Sequence, residues 1–173
     1  MNNVYATLLA TDSYLPGVQV LHYTLRKFTE TQLVILVSQS VSKASILHLK
    51  KLKNVIISKV PDISKPGTSE GAWERSQYTK LHIWTLIQYT KVFYIDADCI
   101  VNSDPESIFE MDVDFAAAPD VFPPDCFNAG VMLIKPSMEF FNELIAQVDT
   151  VKSYDGGDTG FLNAVLREKW WTG

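Results

Sequence analysis

Two carboxylates separated by one small residue, Asp96-Ala97-Asp98, close the apolar run Lys91-Val92-Phe93-Tyr94-Ile95. A continuous hydrophobic run reads as a strand buried on both faces. The carboxyl ends of such strands are where open α/β sheets seat their ligands. Neighbouring acids at that place repel each other and desolvate poorly. A divalent cation is the simplest partner that makes the arrangement favourable, and a cation at a strand end suits a diphosphate. Residues two apart share a face if the strand continues, and Ala97 is small enough to let a ribose or a phosphate reach the backbone. The plainer reading is a pair of turn caps.

Tyr154-Asp155-Gly156-Gly157-Asp158-Thr159-Gly160 is a second cluster. Its two adjacent glycines allow backbone conformations closed to other residues and leave room for a bulky ligand. Asp158 alone is explained as a helix N-cap, but that accounts for neither Asp155 nor the glycines. Carboxylates accept hydrogen bonds from the hydroxyls of a polyol, which is the sharper reading. Phe127-Asn128-Ala129-Gly130 sets an amide, at once donor and acceptor, beside small residues at a strand start. Arg75 and Lys80 precede the acid-tipped strand and could neutralise phosphate charge. Tyr14 follows the first strand closely enough to stack on a nucleobase. His22, His48 and His82 lack a second histidine at ligand spacing and read as structural. Trp73, Trp84, Trp170 and Trp171 read as packing residues.

These groups need a scaffold, and the hydrophobic pattern supplies one. Val4–Ala10, Gln32–Val37, Asn54–Val60 and the acid-tipped run are expected strands. Leu15–Phe28, with Val18, Leu21, Leu25 and Phe28 at helical spacing, and Ser42–Lys53 are expected helices between the first three. Strand, helix, strand, helix, strand predicts a parallel sheet with right-handed crossovers. Pro61–Gly71 reads as a long functional loop. A helix over Ser76–Thr90 leads into the acid-tipped strand, and a short helix opens at Asp104-Pro105. Short strands follow at Asp114–Ala118 and Phe127–Ile134, then helices at Ser137–Val151 and Asp158–Lys169.

Hydrophobic residues make up 47% of the 173, which suits a real core and excludes disorder. A net charge of −5 with no Lys/Arg cluster argues against nucleic-acid binding. The basic residues of His48-Leu49-Lys50-Lys51-Leu52-Lys53 read as a solvated helix end. Cys99 and Cys126 have no metal-ligand spacing and are expected to be buried or half-buried thiols. The start of the chain lacks a secretory pattern and no run has transmembrane length, so a cytoplasmic location is expected. The first strand is followed by Thr11-Asp12-Ser13-Tyr14-Leu15-Pro16-Gly17, not by the glycine turn of a dinucleotide-binding enzyme.

Five stretches together resemble the glycogenin-type members of glycosyltransferase family eight. They are Ala6-Thr7-Leu8-Leu9-Ala10-Thr11-Asp12-Ser13-Tyr14; Tyr78-Thr79-Lys80-Leu81-His82-Ile83-Trp84; Phe93-Tyr94-Ile95-Asp96-Ala97-Asp98; Ala117-Ala118-Pro119-Asp120 with Asp125-Cys126-Phe127-Asn128-Ala129-Gly130; and Tyr154-Asp155-Gly156-Gly157-Asp158. The resemblance covers nearly the whole chain. It implies a single Rossmann-like nucleotide-sugar-binding domain of GT-A type over 1–173, with a mostly parallel sheet flanked by helices. It further implies retaining transfer of a hexose from a UDP-sugar, UDP-glucose before UDP-galactose or UDP-glucuronate, to a carbohydrate, polyol or protein-linked glycan.

By the same resemblance, Leu8, Ala10, Thr11 and Tyr14 line the uridine pocket. Arg75 and Lys80 contact the phosphates or the sugar. Asp96 and Asp98 bind Mn²⁺, with Mg²⁺ second, and Ala97 lies against the ribose. Asn128, Ala129, Asp155, Gly157 and Asp158 surround the sugar. Asp158, Asp155 and Lys80 form the catalytic group, Asp158 acting as nucleophile or as stabiliser of an ion pair. The chain departs from the family in carrying Thr159 where glutamine is usual, and Ala129 where glycogenins carry serine; its Asn-Ala-Gly resembles the plant galactinol synthases. It also ends before the family's His-x-x-Gly-x-x-Lys motif, which supplies a third metal ligand and a diphosphate-binding lysine. A catalytically weak UDP-sugar-binding protein, or a subunit of a complete homologue, is therefore the alternative expectation. Glycogenin-like proteins also suggest a homodimer.

Overall fold

A computed structural model describes residues 2–64, 77–121 and 126–170 of the chain. The apolar runs pair into one six-stranded sheet in the order β3-β2-β1-β4-β6-β5. The strands are β1 (Asn3–Leu9), β2 (Leu33–Val37), β3 (Val55–Lys59), β4 (Lys91–Ile95), β5 (Phe115–Pro119) and β6 (Phe127–Ile134). β1 lies parallel to β2 on one side and to β4 on the other, and β2 lies parallel to β3. Strand β6 runs antiparallel to β4 and β5. This is the mostly parallel α/β sheet that the sequence pattern predicts.

The chain moves outward from β1 to β2 and β3, then returns to the opposite side of β1 to lay down β4. Strand order therefore reverses between β1 and β4, and a crevice opens outside their carboxyl ends. β1 and β2 are buried on both faces, as their unbroken apolar sequence requires. Alternate residues serve two cores. Tyr5 and Leu9 pack with Val18, Leu21 and Leu25 of α1 (Leu15–Leu25) on one side. Val4, Ala6 and Leu8 pack with Tyr78, Leu81 and Trp84 on the other. Helix α2 (Lys43–Leu49) is capped by Ser42, whose side chain accepts from the Ser45 amide. Ser137 caps α3 (Met138–Gln147) in the same way through Phe140. Helix α4 spans Asp158–Trp170. The helix expected to reach Phe28 ends at Leu25, where Arg26–Phe28 turn back toward β2.

One element differs in kind from its expectation. In place of an α-helix over Ser76–Thr90, the residues Gln77–Thr85 form a 3₁₀ helix. Every residue from Tyr78 to Trp84 is buried, so the segment has no solvated stripe to set a 3.6-residue period. A three-residue period instead gives each face one task. Tyr78 meets Phe161 of α4 with ring centroids 5.3 Å apart, and Trp84 meets Phe140 of α3 at 5.5 Å. Thr79 and His82 hold the stretch Pro61–Ile63. Gln77 and Lys80 face the crevice.

His82 is buried, with Nε2 3.0 Å from the carbonyl oxygen of Pro61, so Nε2 carries the proton of the neutral ring. Burial holds its pKa below the ordinary 6.5, partly offset by the Pro61 carbonyl and by Asp62. The folded state thus favours the neutral imidazole. The associated stability is present above pH 6.5 and is lost as pH falls through the lowered folded-state value. Thermal melts from pH 7.5 to 5 are expected to show a steeper acid-side fall for the wild type than for His82→Gln, which keeps a donor but cannot titrate. Parallel curves would exclude this source of pH dependence.

Candidate active site

The crevice is open to solvent on one side and has a cavity volume of about 100 Å³. Leu8 near the end of β1, Ala10 and Tyr14 after it, and Ala97, following β4, make its apolar wall. The polar wall is Gln77, Lys80, Tyr94, Asp96, Asp98 and Asp158.

β4 delivers Asp96. Its amide still donates to the Gly130 carbonyl of β6 at 2.8 Å, so the backbone stays in the sheet for one residue past Ile95. The chain then turns, with the Cys99 amide donating to the Asp96 carbonyl at 3.1 Å. That turn overrides the expectation of one shared strand face. Asp96 points inward, while Asp98 sits exposed on the turn, yet both border the same crevice. The Tyr94 hydroxyl donates to Asp96 Oδ1 at 2.6 Å, and Lys80 Nζ stands 3.1 and 3.3 Å from its two oxygens.

Lys80 is the centre of the network. Its ammonium also reaches Asp158 Oδ2 at 2.5 Å and the Ala129 carbonyl at 3.1 Å, and lies 5.1 Å from the centre of the Tyr94 ring. Only 7% of its side chain is exposed. Burial works to lower the Lys80 pKa, but Asp158 and Asp96 outweigh it and hold the group above 10.5, so it stays a cation. Asp96 is pushed above the usual carboxylate value by burial, against the pull of Lys80. Burial, then the Asp96 charge, raise Tyr94 and keep its hydroxyl a donor.

Asp158 opens α4, where the helix dipole favours an anion. Two polar residues of α4 set its position. Thr159 Oγ1 accepts from the Ala129 amide at 3.2 Å. The Asn163 side chain accepts from the Phe127 amide at 3.0 Å and donates to the Phe127 carbonyl at 2.7 Å. Sequence reasoning missed Tyr94, Gln77 and Asn163. Tyr94 could have been found from the period of two that puts it on the face of Asp96. Asn163 could have been found as a polar residue four after Thr159 on an otherwise apolar helix face.

Other expected sugar-site residues have backbone tasks. Asp155 Oδ1 accepts from the amides of Gly157 at 2.8 Å and Gly160 at 3.0 Å and from the Ser153 hydroxyl, and the residue is outside the crevice wall. The Asn128 amide oxygen accepts from Gly130 N at 2.7 Å. Ala129 is fully buried and contributes its carbonyl to Lys80. Gly157 is buried and accepts from the Tyr78 hydroxyl at 3.1 Å, while Gly156 takes φ +76°, where a side chain would be strained. Thr11 Oγ1 pairs with the Ser13 hydroxyl at 2.7 Å rather than lining the wall. Arg75 lies outside the described residues.

The first turn of α1 supports the acidic turn from behind. A Cβ on Gly17 would collide with the Ala97 carbonyl oxygen and stand 3.2 Å from its carbon. Both are backbone atoms, so the turn itself would have to move. Gly17→Ala is expected to cost about 1–3 kcal/mol and to weaken ligand binding at the crevice together with stability. Melting and ligand titration on the same sample check the pairing, and a fall in stability with unchanged affinity would refute the support role.

Asp96, Asp98 and Asp158 face the single ammonium of Lys80 on this wall. With all four groups ionised the balance is two negative charges, matched by one divalent cation. Hard carboxylate oxygens suit Mn²⁺ or Mg²⁺. Among the described residues no group of three or more His, Cys, Asp or Glu gathers to hold an ion. With two carboxylates, Asp96 and Asp98 would hold such a cation only with further oxygens from its ligand and from water. Among the described residues no helix is long and apolar enough to cross a membrane.

Comparison with known proteins gives a consistent set of likenesses. The sequence model described as Glycosyl transferase family 8 matches residues 6–172. Glycogenin of Neurospora crassa is 34% identical over 171 residues, covering 95% of this chain and 25% of that protein. Glycogenin-1 of Mus musculus is 36% identical over 169 residues, covering 94% of this chain and 50% of its own length. The chain thus spans a quarter to a half of these relatives. The apo-form crystal structure of the glycosyltransferase GlyE from Streptococcus pneumoniae superposes with a TM-score of 0.71 over 97% of this chain and 44% of that one. At 21% identity it shows a shared fold.

Proposed function

This chain belongs to glycosyl transferase family 8, and on that premise we propose that it moves a hexose, glucose before others, from a UDP-sugar to an acceptor hydroxyl with retention at the anomeric carbon. The observation that carries the reading is the buried Lys80, joined to both Asp96 and Asp158 at the strand-order reversal, with the exposed Asp98 beside them. Tyr14, Leu8 and Ala10 would receive the uridine and Ala97 the ribose. Lys80 would meet the diphosphate with its ammonium group.

Asp98 and Asp96 would hold a divalent cation, Mn²⁺ before Mg²⁺, whose chemistry is Lewis-acid stabilisation of charge growing on the diphosphate. The residues do the remaining work. Tyr94 fixes the Asp96 carboxylate, and Lys80 orients both Asp96 and Asp158. As the diphosphate takes a share of Lys80, the Asp158 carboxylate is released toward the anomeric carbon. There it would attack as nucleophile while the anomeric C–O bond to the diphosphate breaks and UDP leaves with the electron pair, or it would stabilise the short-lived cation left by that departure. The acceptor oxygen then bonds the anomeric carbon and its proton passes to the departed diphosphate. A carbohydrate, polyol or protein-linked glycan is the acceptor class. The two-carboxylate donor set favours a second reading, a UDP-sugar-binding protein that transfers slowly or not at all.

Titration of the purified chain with UDP and UDP-glucose, with and without Mn²⁺, and an assay of UDP release test both readings. Mn²⁺ alone is expected to bind weakly, and UDP to tighten it at least about tenfold through shared oxygens. Chelation should abolish UDP release. Binding without release supports the second reading, and failure to bind either nucleotide, or tight Mn²⁺ binding by the free protein, overturns the first.

A further inference from the structure

Gln77 shares the crevice wall with Lys80 and Asp158 but stands outside their ion-pair network. The three-residue turn stacks it directly beside Lys80. Its Oε1 lies over Gly157, so close that a Cβ there would be 2.6 Å away. The missing side chain at Gly157 is what lets the amide reach the Asp158 end of the crevice. Once there, the amide makes no hydrogen bond to a described residue.

The electrostatics suit an uncharged group at this point. The wall already has two carboxylates more than it has ammonium groups, so a further acid would add to that excess. A base would compete with Lys80 for Asp158. An amide does neither, and it presents a donor and an acceptor together, the pairing that distinguishes one arrangement of neighbouring hydroxyls from another.

We propose that Gln77 reads the hydroxyls of the donor hexose and sets which hexose the protein prefers. This rests on the nucleotide-sugar reading above. Uridine and diphosphate are gripped elsewhere, by the Tyr14 wall and by Lys80 with the acidic turn. Gln77 therefore contributes to the affinity for UDP-hexose and not to that for UDP.

Calorimetric titration of the full chain with Mn²⁺ and each of UDP, UDP-glucose and UDP-galactose tests the inference in wild type, Gln77→Ala and Gln77→Asn. UDP affinity should stay within about twofold across the three, which also shows that the variants are folded. Gln77→Ala should weaken the preferred UDP-hexose about tenfold, the weight of one hydrogen bond. The ratio between the two hexoses should move toward one, and Gln77→Asn should recover part of the loss. Equal weakening of UDP and UDP-hexose would assign Gln77 a structural role and overturn the inference, as would an unchanged hexose ratio. A wild type that binds UDP-hexoses with a variant that does not discriminate less defeats the Gln77 role alone. A wild type that binds no UDP defeats the nucleotide-sugar reading and this inference with it.

Discussion

Lys80→Met is expected to destabilise the protein by about 3–5 kcal/mol, the loss typical of breaking a buried ion pair from one side. On a chain of this size that is a fall in melting temperature on the order of 10 °C. Methionine fills the same space, so the loss is electrostatic and not a cavity. Two carboxylates, Asp96 and Asp158, would face each other without the cation that both now touch, and Ala129 would lose the donor at its carbonyl. Asp96 is already pushed up by burial, so the site has little capacity to carry more negative charge. The double variant Lys80→Met/Asp158→Asn removes one of the stranded charges and should be more stable than Lys80→Met alone. Thermal and urea melts of the four proteins of this cycle measure the coupling. If the losses simply add, Lys80 is not the electrostatic keystone of the crevice.

Asp98→Asn should produce the opposite pattern, a large functional loss with almost no change in stability. Asp98 is exposed on the turn after β4, and among the described residues its carboxylate accepts a hydrogen bond only from the Cys99 thiol, at 3.9 Å. On the proposed reading its oxygen is the one most available to a divalent cation. The variant should bind UDP little better with Mn²⁺ than without, and UDP release should fall by about 100-fold or more, a few kcal/mol of lost stabilisation. Measuring UDP affinity in Mn²⁺ and in chelator, beside a melt, separates the two effects. Retained metal-dependent affinity in Asp98→Asn would move the cation away from the acidic turn and dismantle the proposed chemistry.

The contrast between these variants reflects how differently two neighbouring aspartates are held. It also marks a boundary in what the chain discloses before it folds. The strands were legible in the sequence because burial on both faces demands an unbroken apolar run, a local property that Val4–Leu9, Leu33–Val37 and Val92–Ile95 carry openly. The acid tip at Asp96-Ala97-Asp98 was legible for the same reason, since two carboxylates after such a run need an explanation. Gly156-Gly157 was legible because glycine suits both a left-handed backbone and a close approach, and φ +76° at Gly156 and the Gln77 amide against Gly157 show one of each. The helix over Gln77–Thr85 was misjudged in type because its residues are buried all round, which erases the amphipathic stripe that distinguishes one helical period from another.

The order of the strands in the sheet, and with it the crevice between β1 and β4, was decided only in three dimensions. No local pattern states on which side of β1 the fourth strand will pair. The convergence of Lys80 with Asp96 and Asp158 follows from that choice, because it depends on three separate elements ending at one point. The division of labour among the polar residues was also tertiary. Asn128 and Asp155 look like ligand groups in the sequence, but each spends an oxygen on a nearby backbone amide. Asn163 and Tyr94 look like filler and instead position the acids. A side chain's type sets what bonds it can make; which bonds it does make depends on the unpaired donors and acceptors that folding leaves within about 3 Å of it.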